Sequence, residues 1–135
     1  MVSCIHKTLL LLLCVTVFSN CQSGDTNNPT PPTEEDIIGL YDLYINEDLD
    51  AYIEAVHSCK DKPKDYCEQM KMLLKQHLND IKKETGGIEK ATIDHIEVNN
   101  HKDILNVYLN VTYKNKKTEE ILFPIVFSDG KWQVR

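Results

Sequence analysis

Apolar residues in the middle of the chain recur at helical spacing. The longest such stripe runs from residue 66 to residue 81 and consists of Tyr66, Met70, Leu73, Leu74, His77, Leu78 and Ile81. Pro63 suits the first turn of a helix, and Gly86 with Gly87 is typical of a helix end. The pattern therefore predicts one long helix whose apolar face packs on a core.

Two shorter helices are predicted before this one. The stretch "TEED" offers Thr33 as an N-cap, acidic residues over the positive helix end and Asp36 as the third residue of a capping box. The apolar positions of the first helix are Ile37, Leu40, Tyr41 and Tyr44, and those of the second are Leu49, Tyr52, Ile53 and Val56. Residues 45–49 form the turn between them.

Beyond residue 87 the period changes to alternation, which predicts β-strands. One strand has Leu105, Val107, Leu109, Val111 and Tyr113 on one face, and the next has Ile121, Phe123, Ile125 and Phe127. An Asp-Gly turn at 129–130 leads into a short last strand. In residues 88–98 the apolar face changes from Ala91 and Ile93 to Ile96 and Val98, so we expect a β-bulge near Asp94.

Helices followed by a meander of strands indicate an α+β fold. We expect residues 33–135 to form a single domain, with three helices packed on one face of a curved four-stranded antiparallel sheet.

The N-terminal sequence is typical of a targeting segment. A basic residue, Lys7, precedes an uninterrupted apolar run of 11 residues, Thr8 to Phe18. Such a run is about 16 Å long as a helix, too short for a bilayer core of about 30 Å. Residues 1–20 therefore fit a signal peptide, and the polar, proline-rich residues 21–32 fit a flexible linker.

Cys21 ends the apolar run, where "FSNC" resembles the lipobox of bacterial lipoproteins, although Asn20 stands where Gly, Ala or Ser is usual. The resemblance implies lipidation at Cys21 and an anchor in a membrane of the bacterial cell envelope. The alternative is a secreted protein in which Cys21 is free or paired. Once Cys21 is lipidated, Cys59 and Cys67 remain as an even pair, for which we expect a disulfide.

The folded part resembles small Gram-negative lipoproteins of unknown function in the nuclear-transport-factor-2-like, or cystatin-like, superfamily. The matching pieces are "NEDLDAYIEA" at 46–55, "TGGIEKATI" at 85–93 and "DGKWQV" at 129–134. In the first piece Glu47 replaces the glycine usual in that family. The resemblance implies a conical pocket between helices and sheet, which some members use for isomerase or dehydratase chemistry and many for packing or partner binding.

Charge separates the chain into two parts, within a net charge of −6. Residues 22–59 carry nine acidic and no basic residues, whereas residues 60–135 carry 14 basic and 12 acidic residues. This distribution disfavours nucleic acid as a partner.

No catalytic group stands out in the inward rows of the strands. His77, Tyr41 and Tyr52 are candidates for a pocket, while the spacing of His57, Cys59, Cys67 and His77 fits no known zinc site, so we expect no metal or cofactor. Tyr108, Leu122, Pro124 and Val126 form an apolar row opposite the core, a candidate interface for a homodimer or another protein.

These features favour a membrane-anchored lipoprotein with a non-enzymatic binding or structural domain. The alternative is a small-ligand carrier, or an isomerase- or dehydratase-like enzyme, that uses the cone between helices and sheet.

Overall fold

The computed structural model describes residues 29–135, in which three α-helices precede four β-strands. The helices are α1 (Glu34–Ile45), α2 (Leu49–Ala55) and α3 (Lys64–Thr85), with a 3-10 turn at His57–Cys59 between α2 and α3. The strands are β1 (Ile88–Val98), β2 (Ile104–Tyr113), β3 (Thr118–Ser128) and β4 (Lys131–Val134). They form one antiparallel sheet in the order β1-β2-β3-β4. The expected α+β architecture is confirmed.

Helix α1 begins with the expected capping box. The Thr33 hydroxyl accepts a hydrogen bond from the Asp36 amide at 3.1 Å, and the Asp36 carboxylate accepts one from the Thr33 amide at 2.9 Å. These bonds satisfy amides that a helix start leaves without partners. The bond from the Thr33 amide to the carboxylate lowers the pKa of Asp36 because it favours the charged form. The cap therefore fixes where the folded chain turns into α1.

The first strand contains the bulge that its apolar pattern predicts. Ile93 pairs with Leu109 and His95 pairs with Tyr108, so Asp94 is the extra residue between two consecutive pairs. The inserted residue returns Ile96, opposite Val107, to the inner face of the sheet. It also leaves Asp94 and His95 together on the outer face, where they form a hydrogen bond.

The core lies between the helices and the inner face of the sheet. Its fully buried side chains are Ile37 from α1, Val107, Leu109 and Val111 from β2, and Ile125 from β3. A parallel bridge between Val56 and Val134 joins the end of α2 to β4. The helical layer is thereby tied to the last strand as well as packed on the central ones.

Three residues of the expected α3 stripe, Tyr66, Leu73 and His77, lie outside the core. Leu73 is 62% exposed and Tyr66 is also exposed, whereas Leu78 is 4% exposed. Leu73 and Leu74 are adjacent and diverge by about 100° around the helix, so only one of them can point at the core, and Leu74 does. None of the helices within residues 29–135 combines the length and hydropathy that a membrane span needs.

The expected disulfide is not present in the structure. Cys59 and Cys67 are both free thiols, and the Cys67 sulfur lies 3.6 Å from the backbone carbonyl oxygen of Cys59. The thiol of Cys67 is therefore directed at a carbonyl rather than bonded to the partner sulfur. Burial raises the pKa of the Cys59 thiol, which keeps it protonated.

The predicted signal peptide and the lipidation residue Cys21 lie outside the described residues. Of the predicted linker, residues 29–32 are described, and the carbonyl oxygen of Thr30 accepts a hydrogen bond from the Trp132 indole at 2.9 Å. The chain thus reaches the domain beside β4, just before α1 begins.

Candidate functional site: a tyrosine-lined cavity

A cavity of about 710 Å³ opens between the helices and one end of the sheet. We call it the tyrosine cavity, because its walls carry Tyr41 and Tyr44 of α1, Tyr52 of α2 and Tyr113 at the end of β2. Leu74, His77 and Ile81 of α3 form the opposite side, and Ile121 and Phe123 of β3 contribute the sheet side. The rim carries Glu84, Thr85, Lys117, Thr118 and Glu119. Five elements contribute to one concave surface, which is typical of ligand sites.

The aromatic rings of the cavity pack on one another. The Tyr41 ring lies 5.6 Å from that of Tyr44 and meets Phe123 edge-on at 5.2 Å, and Tyr44 lies 5.6 Å from Tyr52. These centroid distances fall in the range where tilted and edge-to-face pairs attract. Mutual packing holds the rings in place, so the wall is formed before any ligand arrives.

The hydroxyls of this wall differ in their partners. The Tyr113 hydroxyl donates a hydrogen bond to Glu119 at 2.6 Å. By contrast, no side chain or backbone group within residues 29–135 bonds to the hydroxyls of Tyr41, Tyr44 or Tyr52, although Tyr41 is only 5% exposed and Tyr44 only 6%. None of these three oxygens is among the fully buried polar atoms that lack a partner in residues 29–135, so the hydroxyls are open to the cavity, where water or a ligand can bond to them.

All four tyrosines of the cavity hold their protons more firmly than free tyrosine. Burial is the main cause in each, and it raises the pKa of Tyr52 to about 12 and that of Tyr41 and Tyr44 further. Burial together with the Glu119 carboxylate raises the pKa of Tyr113 to about 12. At neutral pH the cavity therefore presents neutral phenols.

The three residues predicted for a pocket all line the tyrosine cavity, with Tyr41 and Tyr52 in the wall and His77 on the exposed face of α3. Tyr113 and Glu119 were missed. Tyr113 belongs to the alternating row of β2, so the sequence identified it as inward-facing. Tyr113 is part of the core and also borders the cavity, and the second of these depends on how the helices cover the sheet.

The predicted interface residues lie on the outer face of the sheet. Tyr108 is paired with Leu122 across β2 and β3, and Leu122 is 52% exposed, while Pro124 and Val126 are half-buried. His95 stacks on Tyr108 with ring centroids 4.2 Å apart. This face is open to solvent among the described residues, and association through it stays a prediction.

A group of potential metal ligands lies on the same outer face. One ligand atom each of Asp94, His95 and Glu120 lies within 4.8 Å of the others. All three side chains are exposed, and Asn110 donates a hydrogen bond to Asp94 at 3.2 Å. Exposed carboxylates beside a histidine are common on protein surfaces, so their proximity alone does not make a metal centre.

Another depression of about 730 Å³ follows the outer side of α3, where Met72 and Leu73 lie. Only residues of α3 line it. A groove bordered by a single helix cannot enclose a ligand, so the tyrosine cavity is the better candidate for a binding site.

Comparison with known proteins identifies the fold of this chain but not its activity. No protein-family model matches the chain, and no curated protein matches it by sequence. A crystal structure from Campylobacter jejuni, named as an NTF2-like transpeptidase, superimposes with a TM-score of 0.59 at 15% identity, covering 72% of this chain and 91% of that one. A de novo designed protein with a curved β-sheet gives a TM-score of 0.43 at 14% identity, covering 72% of this chain and 88% of the design. The chain has the NTF2-like α+β fold, in agreement with its three helices and four-stranded sheet.

Proposed function

We propose that the chain is a lipid-anchored, non-enzymatic binding module of the bacterial cell envelope, and that its domain holds a small, largely apolar ligand in the tyrosine cavity. The observation that carries this proposal is the set of hydroxyls on Tyr41, Tyr44 and Tyr52, which lack partners among the described residues at the wall of a cavity of about 710 Å³. Ligand sites have volumes of roughly 300 to 1,000 Å³ and combine apolar walls with a few polar groups.

Binding fits the side chains of the cavity better than catalysis does. A general base works best with a pKa near the operating pH, whereas the pKa values of all four tyrosines are raised well above it. The Glu119 carboxylate already accepts the hydroxyl proton of Tyr113 in a hydrogen bond. The four tyrosines of the cavity are therefore suited to binding and orienting a ligand rather than to moving its protons.

The activity named for the Campylobacter protein finds no support in this cavity. A transpeptidase forms a covalent intermediate on an activated nucleophile, usually Ser or Cys. None of the described residues that line the tyrosine cavity is Ser or Cys. At 15% identity the likeness concerns the fold, and a fold hosts many functions.

The support for a lipid anchor comes from the sequence. The apolar run that ends at Cys21, the lipobox-like "FSNC" and the polar linker after it fit a lipid-modified N-terminus. The resemblance to Gram-negative lipoproteins of unknown function supports the same location. The lipobox resemblance implies a diacylglycerol on Cys21, whose two acyl chains would make attachment stable, since one chain alone binds a membrane only marginally.

Binding in the cavity is tested by blocking it. The full-length protein in a nonionic detergent is titrated with the neutral apolar alcohol 3,3-dimethylbutan-1-ol, and binding is followed by saturation-transfer NMR. Leu74 lines the cavity from α3, so a Leu74→Trp ring fills space that the alcohol needs. We expect this variant to lose the saturation-transfer signal.

Leu73→Trp is the matched control. It introduces the same ring one residue earlier, on the exposed side of α3, and should bind the alcohol as the original protein does. Thermal melting of both variants shows whether they remain folded. Equal binding by the two variants, or no saturation transfer to the original protein, would refute the cavity as the binding site.

A further inference from the structure

The two helices that carry Tyr41, Tyr44 and Tyr52 are acidic, although none of their carboxylates lines the tyrosine cavity itself. Residues 33–56, which supply its α1 and α2 walls, contain eight Asp and Glu and no Lys or Arg. Two of these carboxylates form ion pairs with α3, Glu47 with Lys82 and Asp50 with Lys71. The remaining six have no Lys or Arg partner among residues 29–135.

The rim adds to this imbalance. Glu84 and Glu119 border the cavity, and Lys117 is the one cation among its lining residues. Lys117 forms no ion pair within the described part of the chain. Counted over Glu84, Glu119 and Lys117, the lining carries one net negative charge, which attracts cations and repels anions.

The walls have the chemistry that receives an organic cation. Four tyrosine rings and Phe123 present electron-rich aromatic surface, and positive groups are attracted to aromatic faces within about 6 Å of the ring centre. The hydroxyls without partners can turn their lone pairs toward a positive ligand.

We infer that the ligand of the tyrosine cavity is an organic cation, an alkylammonium group carried on a small apolar body. This inference rests on the proposed function, because it names the charge and class of the ligand that the same cavity holds. Aromatic walls take the alkyl groups, and the rim carboxylates of Glu84 and Glu119 balance the charge. A metal ion does not fit, because the wall offers phenols and hydrocarbon rather than a set of anionic ligands.

The test uses three probes of similar shape and different charge. Choline is the cation, 3,3-dimethylbutan-1-ol is its neutral counterpart with carbon in place of nitrogen, and 3,3-dimethylbutanoate is an anion. Each is titrated into full-length protein in nonionic detergent and followed by isothermal calorimetry. We expect choline to bind about tenfold more tightly than the neutral alcohol, and the anion to bind most weakly.

Two matched variants locate the charge effect. Glu119→Gln removes a carboxylate from the cavity rim while keeping a hydrogen-bond acceptor for Tyr113. Glu97→Gln makes the same change in the other Tyr–Glu pair, where Tyr108 donates to Glu97 at 3.2 Å on the outer face. Glu119→Gln should weaken choline binding about threefold or more without changing the affinity for the neutral alcohol, and Glu97→Gln should change neither.

The outcomes separate the inference from the proposed function. If the alcohol binds as tightly as choline, or more tightly, the cavity binds ligands but does not select cations, and the inference is wrong. If the original protein binds none of the three probes at millimolar concentration, the inference and the proposed function both fail. The probe series needs no substitution, so a variant that unfolds does not affect this decision.

Discussion

Tyr113 illustrates how much a single residue's role depends on tertiary context. Alternation along β2 places it in the inner row with Leu109 and Val111, and the structure agrees. The sequence does not show that the Tyr113 side chain also borders a cavity, or that its hydroxyl reaches Glu119 across the hairpin. Likewise, helical spacing brings Tyr41 and Tyr44 together, but a pattern that predicts a core residue equally predicts a cavity wall.

The raised pKa of the cavity tyrosines makes stability depend on alkaline pH. Tyr52 ionises at about 12 in the folded protein, against about 10 in an unfolded chain. The folded state thus binds the proton more tightly. The stabilisation of the folded state that results is fully present below about pH 10 and is lost as pH rises to about 12. We expect the free energy of unfolding, measured by urea denaturation, to fall steadily across this interval.

Substitution of single tyrosines tests whether this loss of stability at alkaline pH comes from the cavity. Tyr52→Phe removes one ionising group and should reduce the loss by about 2 kcal/mol, since each pKa unit corresponds to about 1.4 kcal/mol. Tyr66→Phe makes the same change on the exposed surface of α3, outside the cavity, and should leave the loss unchanged. A constant free energy of unfolding from pH 10 to pH 12 would show that the tyrosines are not buried as described.

At the scale of elements, the sequence predicted best those features whose geometry depends on a few neighbouring residues. The cap at Thr33, the end of α3 at Gly86 and the bulge after Ile93 each follow from a few neighbouring residues. Gly86 adopts a φ of 84°, and a Cβ there would approach the Cβ of Lys114 to 3.3 Å. Both the backbone conformation and the limited space therefore favour glycine at this position. The exposed side of α3 was less predictable, because Leu73 continues an apolar pattern without contacting the core.

Two leucines of α3 therefore differ in their importance for stability. Leu78→Ala removes a side chain that is buried against the core and should lower the free energy of unfolding by about 2 to 5 kcal/mol. Leu73→Ala removes the same atoms from an exposed site and should change it by about 0.5 kcal/mol or less. Chemical denaturation at neutral pH measures both, and similar losses in the two variants would mean that something covers the outer side of α3.

At the scale of the whole molecule, the point where the chain enters and the cavity lie toward different ends of α1. The chain arrives at Thr30, beside Trp132, and α1 begins at Glu34. Tyr44 is ten residues further along, about 15 Å at 1.5 Å per residue. A tether on the N-terminal side would hold the domain near a membrane while leaving the tyrosine cavity at a distance from the point of attachment.

A lipid-anchored binding domain requires acyl groups on Cys21, and the intact mass of the membrane-extracted full-length protein tests this most directly. We expect a chain that has lost residues 1–20 and gained the mass of a lipid. Alkylation under denaturing, non-reducing conditions should then add two groups, at Cys59 and Cys67, since both are free thiols in the structure. A mature chain without acyl mass would contradict the membrane-anchored account and leave a secreted binding domain in its place.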